Sequence, residues 1–529
     1  MYPQHGNMLR LRQRRMRFVA VAVFLASALA YVYHRSSAAI VTWPTTPSSK
    51  AADVQVSIVQ PPPTRSLVPL FDSPAPEKAA LATLSTRVAF PSKSAMDYPP
   101  TSAAVDSLHT APPVSIPVSS TASVQCVHYE QLQRQRQGPI STGKRKFPYS
   151  RPATECRTFN LPSMEKLIDR MRGVMKDPDL FRLFENSYPN TLDTMIKWHG
   201  FANNTDPVTK NTTITDEELT YVITGDIDAM WLRDSASQIY SYLPLLEASS
   251  DPDSLASLWR GVINLHARYI IISPFCHSFQ PPPESGLPPS RNDAYTQNHP
   301  NPPYDPVLVF DCKWELDSLA SFLQISTAYY QRTDDLAFFQ KYNWVSAVEA
   351  AVNAAGSMRL GTYSKEGKVE HSAWTFTGWT NRGSETLTNN GLGNPTKENG
   401  MVRSAFRPSD DACIYQLFVP SNMMWAKYLE EASFIMEKLD DRRAKNLTSA
   451  MRDFAFGIRN GIDRDAVVHH RDFGDIFAHE VDGYGGQNLM DDGQCFTFFF
   501  LSADHALNSS SQHSLSSLHP TLQLHSLLF

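Results

Sequence analysis

Three aspartates, an arginine and a tryptophan lie within the twelve residues Thr224-Gly-Asp-Ile-Asp-Ala-Met-Trp-Leu-Arg-Asp-Ser235. That mixture suits a polar site that grips a sugar. Carboxylates accept hydrogen bonds from hydroxyls, a guanidinium donates in a fixed fork, and an indole face covers the apolar C–H side of the ring. A second acidic segment, Phe406-Arg-Pro-Ser-Asp-Asp-Ala412, stands far along the chain. Two separated carboxylate clusters meet the requirement of glycoside hydrolysis, in which one group protonates the leaving oxygen and the other activates water or attacks. Taken singly, each residue has a structural explanation: Asp226 as a helix cap, Arg233 and Asp234 as a surface pair, Trp231 as core. Their density argues for a shared use, because burying that many charges without one is costly.

The chain that must hold these residues is largely helical by its apolar spacing. The 3.6-residue period predicts helices over 164–175, 236–246, 254–272, 314–330, 344–355, 423–439 and 450–460. Strand-like runs are few, and residues 365–380 are expected to form a hairpin. Long polar loops containing Gly and Pro, such as 278–306 and 381–409, separate the helices. Loops of that length inside a compact domain are usually functional. The expected fold is mainly α, a helical toroid with a cleft built from loops.

Composition and targeting signals narrow the setting. The net charge of −5, with no basic stripe beyond the N-terminus, argues against a nucleic-acid partner. Residues 1–17 are basic through Arg10, Arg12, Arg14, Arg15 and Arg17, and the uncharged run Phe18 to Tyr33 follows. Read as a signal-anchor over 18–34, this would keep the basic end in the cytosol, attach the protein to a membrane and place the rest in a lumen of the secretory pathway. Ser27-Ala28-Leu29-Ala30 offers small residues for cleavage, so a secreted product is the alternative. Residues 35–150 are rich in Pro, Ser, Thr and Ala, as in Gln60-Pro-Pro-Pro-Thr64, and are expected to be a disordered stalk. Sequons stand at Asn203, Asn211, Asn446 and Asn508. The six cysteines match no zinc spacing. An oxidising lumen would allow bridges, for which the pairs expected are Cys126–Cys156 and Cys276–Cys312; buried free thiols are the alternative.

Four segments taken together carry a resemblance: TGDIDAMWLRDS, Lys313-Trp-Glu-Leu-Asp-Ser-Leu319, Asn389-Asn-Gly-Leu-Gly-Asn-Pro395, and FRPSDDA followed by Val419-Pro-Ser-Asn-Met423. From about residue 150 to 492 the chain resembles glycoside hydrolase family 125, and its fungal members in particular. The resemblance implies a six-hairpin (α/α) toroid and an exo-α-1,6-mannosidase that inverts the anomeric centre without a metal or other cofactor. A mannose-containing glycan would be the partner, and a monomer is the expected state. One of Asp410 and Asp411 would be the general acid, with Asp411 slightly favoured. Adjacent like charges would keep one of the two protonated, and Ser409 would cap a helix holding Ile414 to Leu417. Asp226, Asp228, Arg233 and Asp234 would hold the terminal mannose, with Trp231 shaping or stacking on the pocket. Glu315 and Asp317, spaced i and i+2 at a helix start, would not share a face. Either would reach the cleft, and Lys313 would pair with one of them. Asn394, in a Gly-rich loop that brings backbone toward the substrate, and Arg407 complete the expected contacts. His479-Glu480-Val-Asp-Gly-Tyr484 is a third acidic stretch, without the second histidine of a metalloprotease site.

After Asp492 the resemblance ends, and residues 493–529 are Ser-, His- and Leu-rich. Family members continue into a part that carries the glutamate assigned as general base, within a His-Glu-Ser-like motif. The tail therefore reads as a translated intron or frameshifted end, leaving 151–492 as a partial catalytic domain. Loss of an acid–base group lowers hydrolysis by about 10²–10⁴. The alternative to an enzyme is thus a mannose-binding pseudoenzyme.

Overall fold

The computed structural model describes residues 126–206 and 208–490. The apolar run 18–34, the stretch before Cys126, Asn508 and the tail from 491 lie outside the described residues. Among the described residues no helix is long and apolar enough to cross a membrane.

The folded part begins before residue 151, the boundary expected from composition. A short helix α1 (Tyr129–Arg134) is followed by a segment anchored on Asp179. There Ser141 Oγ donates to Asp179 Oδ1 at 2.6 Å and the Arg145 amide to Oδ2 at 2.7 Å. Cys126 is bridged to Cys156. Directional polar contacts and a covalent tie offset an ordering entropy that the sparse apolar residues alone would not.

Helices α2 (Pro162–Val174) and α3 (Pro178–Ser187) follow. The sequence pattern missed α3, but its start is chemically marked. Pro178 occupies the first turn, and the Asp177 side chain accepts from the amides of Asp179 and Leu180. The hairpin of β1 (Ile196–Thr205) and β2 (Thr212–Val222) was also unanticipated. The C-terminal half of β2 is buried on both faces, so it lacks the alternation that marks a half-exposed strand. One covering element is α5 (Leu255–Ile272). Gly261 permits that approach, since a Cβ there would fall 2.1 Å from Thr220 Oγ1.

The remaining large helices are α4 (Leu232–Tyr240), α6 (Leu316–Thr333), α8 (Trp344–Ser357), α9 (Val419–Lys438) and α10 (Arg442–Asp465), with a one-turn α7 (Leu336–Phe339) between α6 and α8. Helix α9 packs on α10 and α6, α6 also on α4 and α5, and α8 on α5. Their shared core buries Trp259, Trp314, Trp344, Trp425, Phe322 and Tyr329 completely. The helix expected at 236–246 instead starts at Leu232 and stops at Tyr240, because Pro244 forces a 3₁₀ turn over Leu243–Leu245.

Two three-stranded sheets gather the ends that matter. In one, β4 (Ser278–Phe279) lies between β3 (Met230–Trp231) and β6 (Val309–Asp311). In the other, β11 (Glu480–Val481) lies between β8 (Leu417–Phe418) and β12 (Gln487–Asn488). Strand β3 runs directly into α4, β8 directly into α9, and β6 precedes α6 by four residues. The hairpin expected over 365–380 does not form. Only β7 (Thr375–Gly378) is a strand, and its partner is the distant β5 (Asn298–Asn301). Gly391 packs against this strand at φ +86°, where a Cβ would sit 2.8 Å from the Phe376 amide nitrogen. A last pair, β9 (Val467–His470) and β10 (Gly474–Phe477), closes the described chain before β11.

Candidate active site

The start of α4 and the start of α6 meet at one guanidinium. Arg233, in the first turn of α4, places Nη1 2.6 Å from Glu315 Oε2 and 3.3 Å from Asp317 Oδ2. Its Nη2 lies 3.2 Å from Asp234 Oδ2 and 3.6 Å from Asp410 Oδ1. Helical spacing had placed Glu315 and Asp317 on different faces. That rule does not apply, because Glu315 is the residue before α6 and has extended backbone, φ −130° and ψ 116°. Its side chain therefore points where Asp317's does.

Asp410 reaches this point through a loop stitched onto the α6 start. The Leu316 amide donates to Ser404 Oγ at 3.1 Å, and the Phe406 amide to the Trp314 carbonyl at 3.1 Å. Lys313 Nζ donates to the Asp410 carbonyl at 2.9 Å, so it serves the loop and not either acid of its own segment. Asp410 itself is left-handed, at φ +63°. The helix expected from Ile414 to Leu417 is absent, and Ser409 caps none. The segment returns as a bridge between Phe406 and Ala412 and enters strand β8. From beneath, buried Glu480 accepts the amides of Ile414 and Tyr415 at 3.1 and 3.2 Å.

His277, which the motif reading missed, completes the cluster. It is fully buried, and its Nε2 lies 3.6 Å from Asp410 Oδ1. The Lys313 amide donates to its Nδ1 at 3.0 Å. An acceptor at Nδ1 leaves the neutral ring's hydrogen on Nε2, facing Asp410. A signal for it existed, because the Cys276–Cys312 bridge sets residue 277 beside residue 313. One ligand atom from each of His277, Glu315 and Asp410 lies within 4.8 Å of the other two. His277 Nε2, Glu315 Oε1 and Asp410 Oδ1 are each buried and without a hydrogen-bond partner while both carboxyls are ionised; a proton on either one lets the two carboxyls bond. Three such ligands would suit a cation in isolation, but the Arg233 guanidinium already brings positive charge to two of them.

The charges cannot all persist. Four carboxyls surround one guanidinium. Burial pushes Glu315 well above the usual carboxylate range, and the neighbouring Asp410 charge pushes it further. Burial also raises Asp317 and Asp234. Desolvation lowers His277 to about 4, so it is uncharged near neutrality. Burial alone would raise Asp410, but His277, Arg233 and a hydrogen bond from Glu315 together hold it down at about 2. With His277 neutral, the guanidinium and the Glu315 bond carry that effect near pH 7. Within the pair the two shifts oppose each other, Glu315 pushed toward its neutral form and Asp410 toward its charged form.

The other expected site residues divide. Trp231 is buried, with its ring edge-on to His277 at 5.5 Å, and forms a wall of the cluster. Asp226 and Asp228 do not join. Asp226 is exposed and accepts from Thr224 Oγ1 at 3.3 Å, while Asp228 pairs with Lys197 at 3.0 Å. The loop 224–229 turns these side chains outward before β3 redirects the chain. Asn394 Nδ2 donates to the Ile414 carbonyl at 2.7 Å, so it ties loops together. Arg407 braces the Asp410 loop, its amide donating to the Asp411 carbonyl at 2.8 Å and its Nε lying 3.7 Å from Glu480 Oε1. The carboxylate brought into the cluster is that of Asp410, not of the slightly favoured Asp411.

Comparison with known proteins gives the family. The family model described as metal-independent alpha-mannosidase (GH125) matches residues 177–506, running past Asp492 into the segment that the sequence reading set apart. The meiotically up-regulated gene 157 protein of Schizosaccharomyces pombe is 41% identical over 369 residues, which is 69% of this chain and 68% of that protein. A solved Streptococcus pneumoniae metal-independent α-mannosidase, held in a non-productive complex with α-1,6-mannobiose, aligns with a TM-score of 0.51 at 25% identity. That alignment covers 63% of this chain and 70% of the bacterial one. The protein belongs to glycoside hydrolase family 125, the metal-independent α-mannosidases.

Proposed function

We propose that this protein is an exo-acting mannosidase that removes terminal α-1,6-linked mannose with inversion, using the Glu315–Asp410 pair as its acid. The observation that carries the reading is the convergence of the His277, Glu315 and Asp410 side chains, one ligand atom of each within 4.8 Å of the others, beside Arg233. Glu315 is fully buried, whereas a third of the Asp410 side chain is exposed. The pair stores the proton inside, and Asp410 presents it to the glycosidic oxygen. Arg233 and Asp234 bind hydroxyls of the same sugar. An inverting base must stand about 6.5–9.5 Å from the acid, with room for water between. The spacing here is shorter, so the base is none of these three groups. The linkage is supported by the mannobiose bound to the bacterial relative. The helical fold, with α9 and α10 joined by three residues and packed together, supports a six-hairpin (α/α) toroid.

Following α-1,6-mannobiose cleavage by proton NMR, with EDTA present, tests the reading. β-Mannose is expected as the first-formed anomer. Release of α-mannose first would overturn inversion, and saturable binding of mannose without turnover would replace the enzyme by a sugar-binding protein.

We further propose that the domain lies in the lumen of the secretory pathway. Its support is the pair of bridges, Cys126–Cys156 and Cys276–Cys312, together with sequon asparagines Asn203, Asn211 and Asn446 on exposed positions. Treatment of the native protein with an N-glycosidase is expected to increase its gel mobility, and four cysteines are expected to resist alkylation until reduced. Unshifted mobility with all thiols reactive would rule the lumen out.

A further inference from the structure

The loop after β7 holds out a tryptophan. Trp379 is 80% exposed and is the one tryptophan among the described residues that is not at least partly buried. Leaving so large an apolar ring in water forgoes the hydrophobic stabilisation that its burial would bring. An exposed ring of this kind on a mobile tip would need no explanation. Trp379 is instead held from both sides. Its amide donates to the Gln297 carbonyl at 2.8 Å, and the ring of His299 leans toward it at 6.3 Å. The Gly378 amide donates to Thr386 Oγ1 at 2.9 Å. Across the loop, Glu385 accepts from Thr380 Oγ1 at 2.5 Å and from Arg382 Nη1 at 3.0 Å.

The loop is also fastened to the candidate active site. The Ala412 amide donates to the Ser384 carbonyl at 2.7 Å, two residues from Asp410. The charge of Lys313, whose Nζ holds the Asp410 carbonyl, is felt at Glu385. On the opposite side, Asn298 of β5 donates to Asp311 Oδ1 at 2.9 Å, at the end of the strand leading to α6. Both attachments lead to the segments that carry Asp410 and Glu315.

We propose that Trp379 is a stacking platform for the sugar on the leaving-group side of the scissile bond. This rests on the mannosidase reading. The ring offers what a pyranose needs on its C–H face, a rigid exposed aromatic surface, and the pinned loop presents it without an ordering cost at binding. Trp379 is a specificity-determining contact and takes no part in proton transfer.

Trp379→Ala and Trp379→Phe variants, assayed on α-1,6-mannobiose and on α-mannosyl fluoride, test the proposal. The fluoride has no sugar as leaving group. Trp379→Ala is expected to lower kcat/KM for the disaccharide about tenfold, the equivalent of one good aromatic contact. It should leave the fluoride within about twofold, and Trp379→Phe should recover most of the loss. Equal losses on both substrates, or no loss on the disaccharide, overturn the proposal. A second measurement does not depend on turnover. Mannobiose should change the intrinsic fluorescence of the native protein and change it much less in Trp379→Phe. If the native protein fails to hydrolyse mannobiose, the mannosidase reading falls while the fluorescence titration still decides the platform. An identical response from the two proteins refutes it.

Discussion

Asp410→Asn is expected to lower kcat on α-1,6-mannobiose by about 10²–10⁴. The amide is nearly the size of the carboxyl, so the loop geometry survives. What is lost is the group that presents the proton to the leaving oxygen. Glu315→Gln should give a loss of the same order, because the proton belongs to the pair and either substitution removes its carrier or its acceptor. The double variant should be little worse than the singles, as residues acting as one unit are non-additive. The distinguishing measurement is the leaving group. An aryl α-mannoside whose phenol ionises readily leaves without protonation, so both variants should approach the native rate on it. Equal impairment on the activated and natural substrates would mean that the pair organises the pocket and donates nothing. Asp411→Asn is expected to retain activity, since the Asp411 contact that braces the loop is made by its backbone carbonyl.

Arg233→Met should be the most destabilising single change in the site. It preserves bulk but strands Asp234, Glu315, Asp317 and Asp410 without the cation they share. Removing one partner of a buried ion pair costs about 3–5 kcal/mol. The sign of the pH dependence follows from the directions of the shifts. Glu315, Asp317 and Asp234 have folded values raised above the unfolded ones. Groups of that kind favour the fold most at low pH and lose the contribution as pH rises through the folded value. Asp410 is depressed to about 2, so its contribution is present above the ordinary aspartate value and depends on Arg233. Without the guanidinium the first three should rise further and Asp410 should lose its advantage. The deficit of Arg233→Met is therefore largest near neutrality and shrinks on acidification toward the ordinary carboxylate range. Thermal or denaturant melts at neutral and mildly acidic pH, against the native protein, measure it. A deficit independent of pH would show that packing, not charge, is what Arg233 supplies. Arg233→Lys keeps the charge without the fork that serves four oxygens, and should fall between the two.

Much of this was local and therefore readable along the chain. The 3.6-residue period marked the long helices, since a buried stripe imposes it whatever the partner helix is. The residues that converge on Arg233 were visible by type, as were the acids around Asp410, because clustered charges flanked by tryptophan are hard to explain as surface. The sites of misreading share one cause, which is contact between segments remote in sequence. β2 shows no alternation because α5 covers its second face, and β7 finds its partner about 75 residues earlier in β5. Tertiary structure also chose among equivalent candidates. Asp226 and Asp228 carry the same carboxylate as Asp234, but a loop turns them outward while α4 turns Asp234 in. Asp410 and Asp411 are neighbours, and a left-handed backbone at Asp410 decides which one faces the guanidinium. His277 had no motif of its own; a disulfide and one amide hydrogen bond made it part of the site. The sequence by itself determined which chemical groups were present and the helical period that carries most of them. Only closure of the chain decided which of them share a solvent-poor space, and so which carboxyl is pushed toward its neutral form and which toward its charged form.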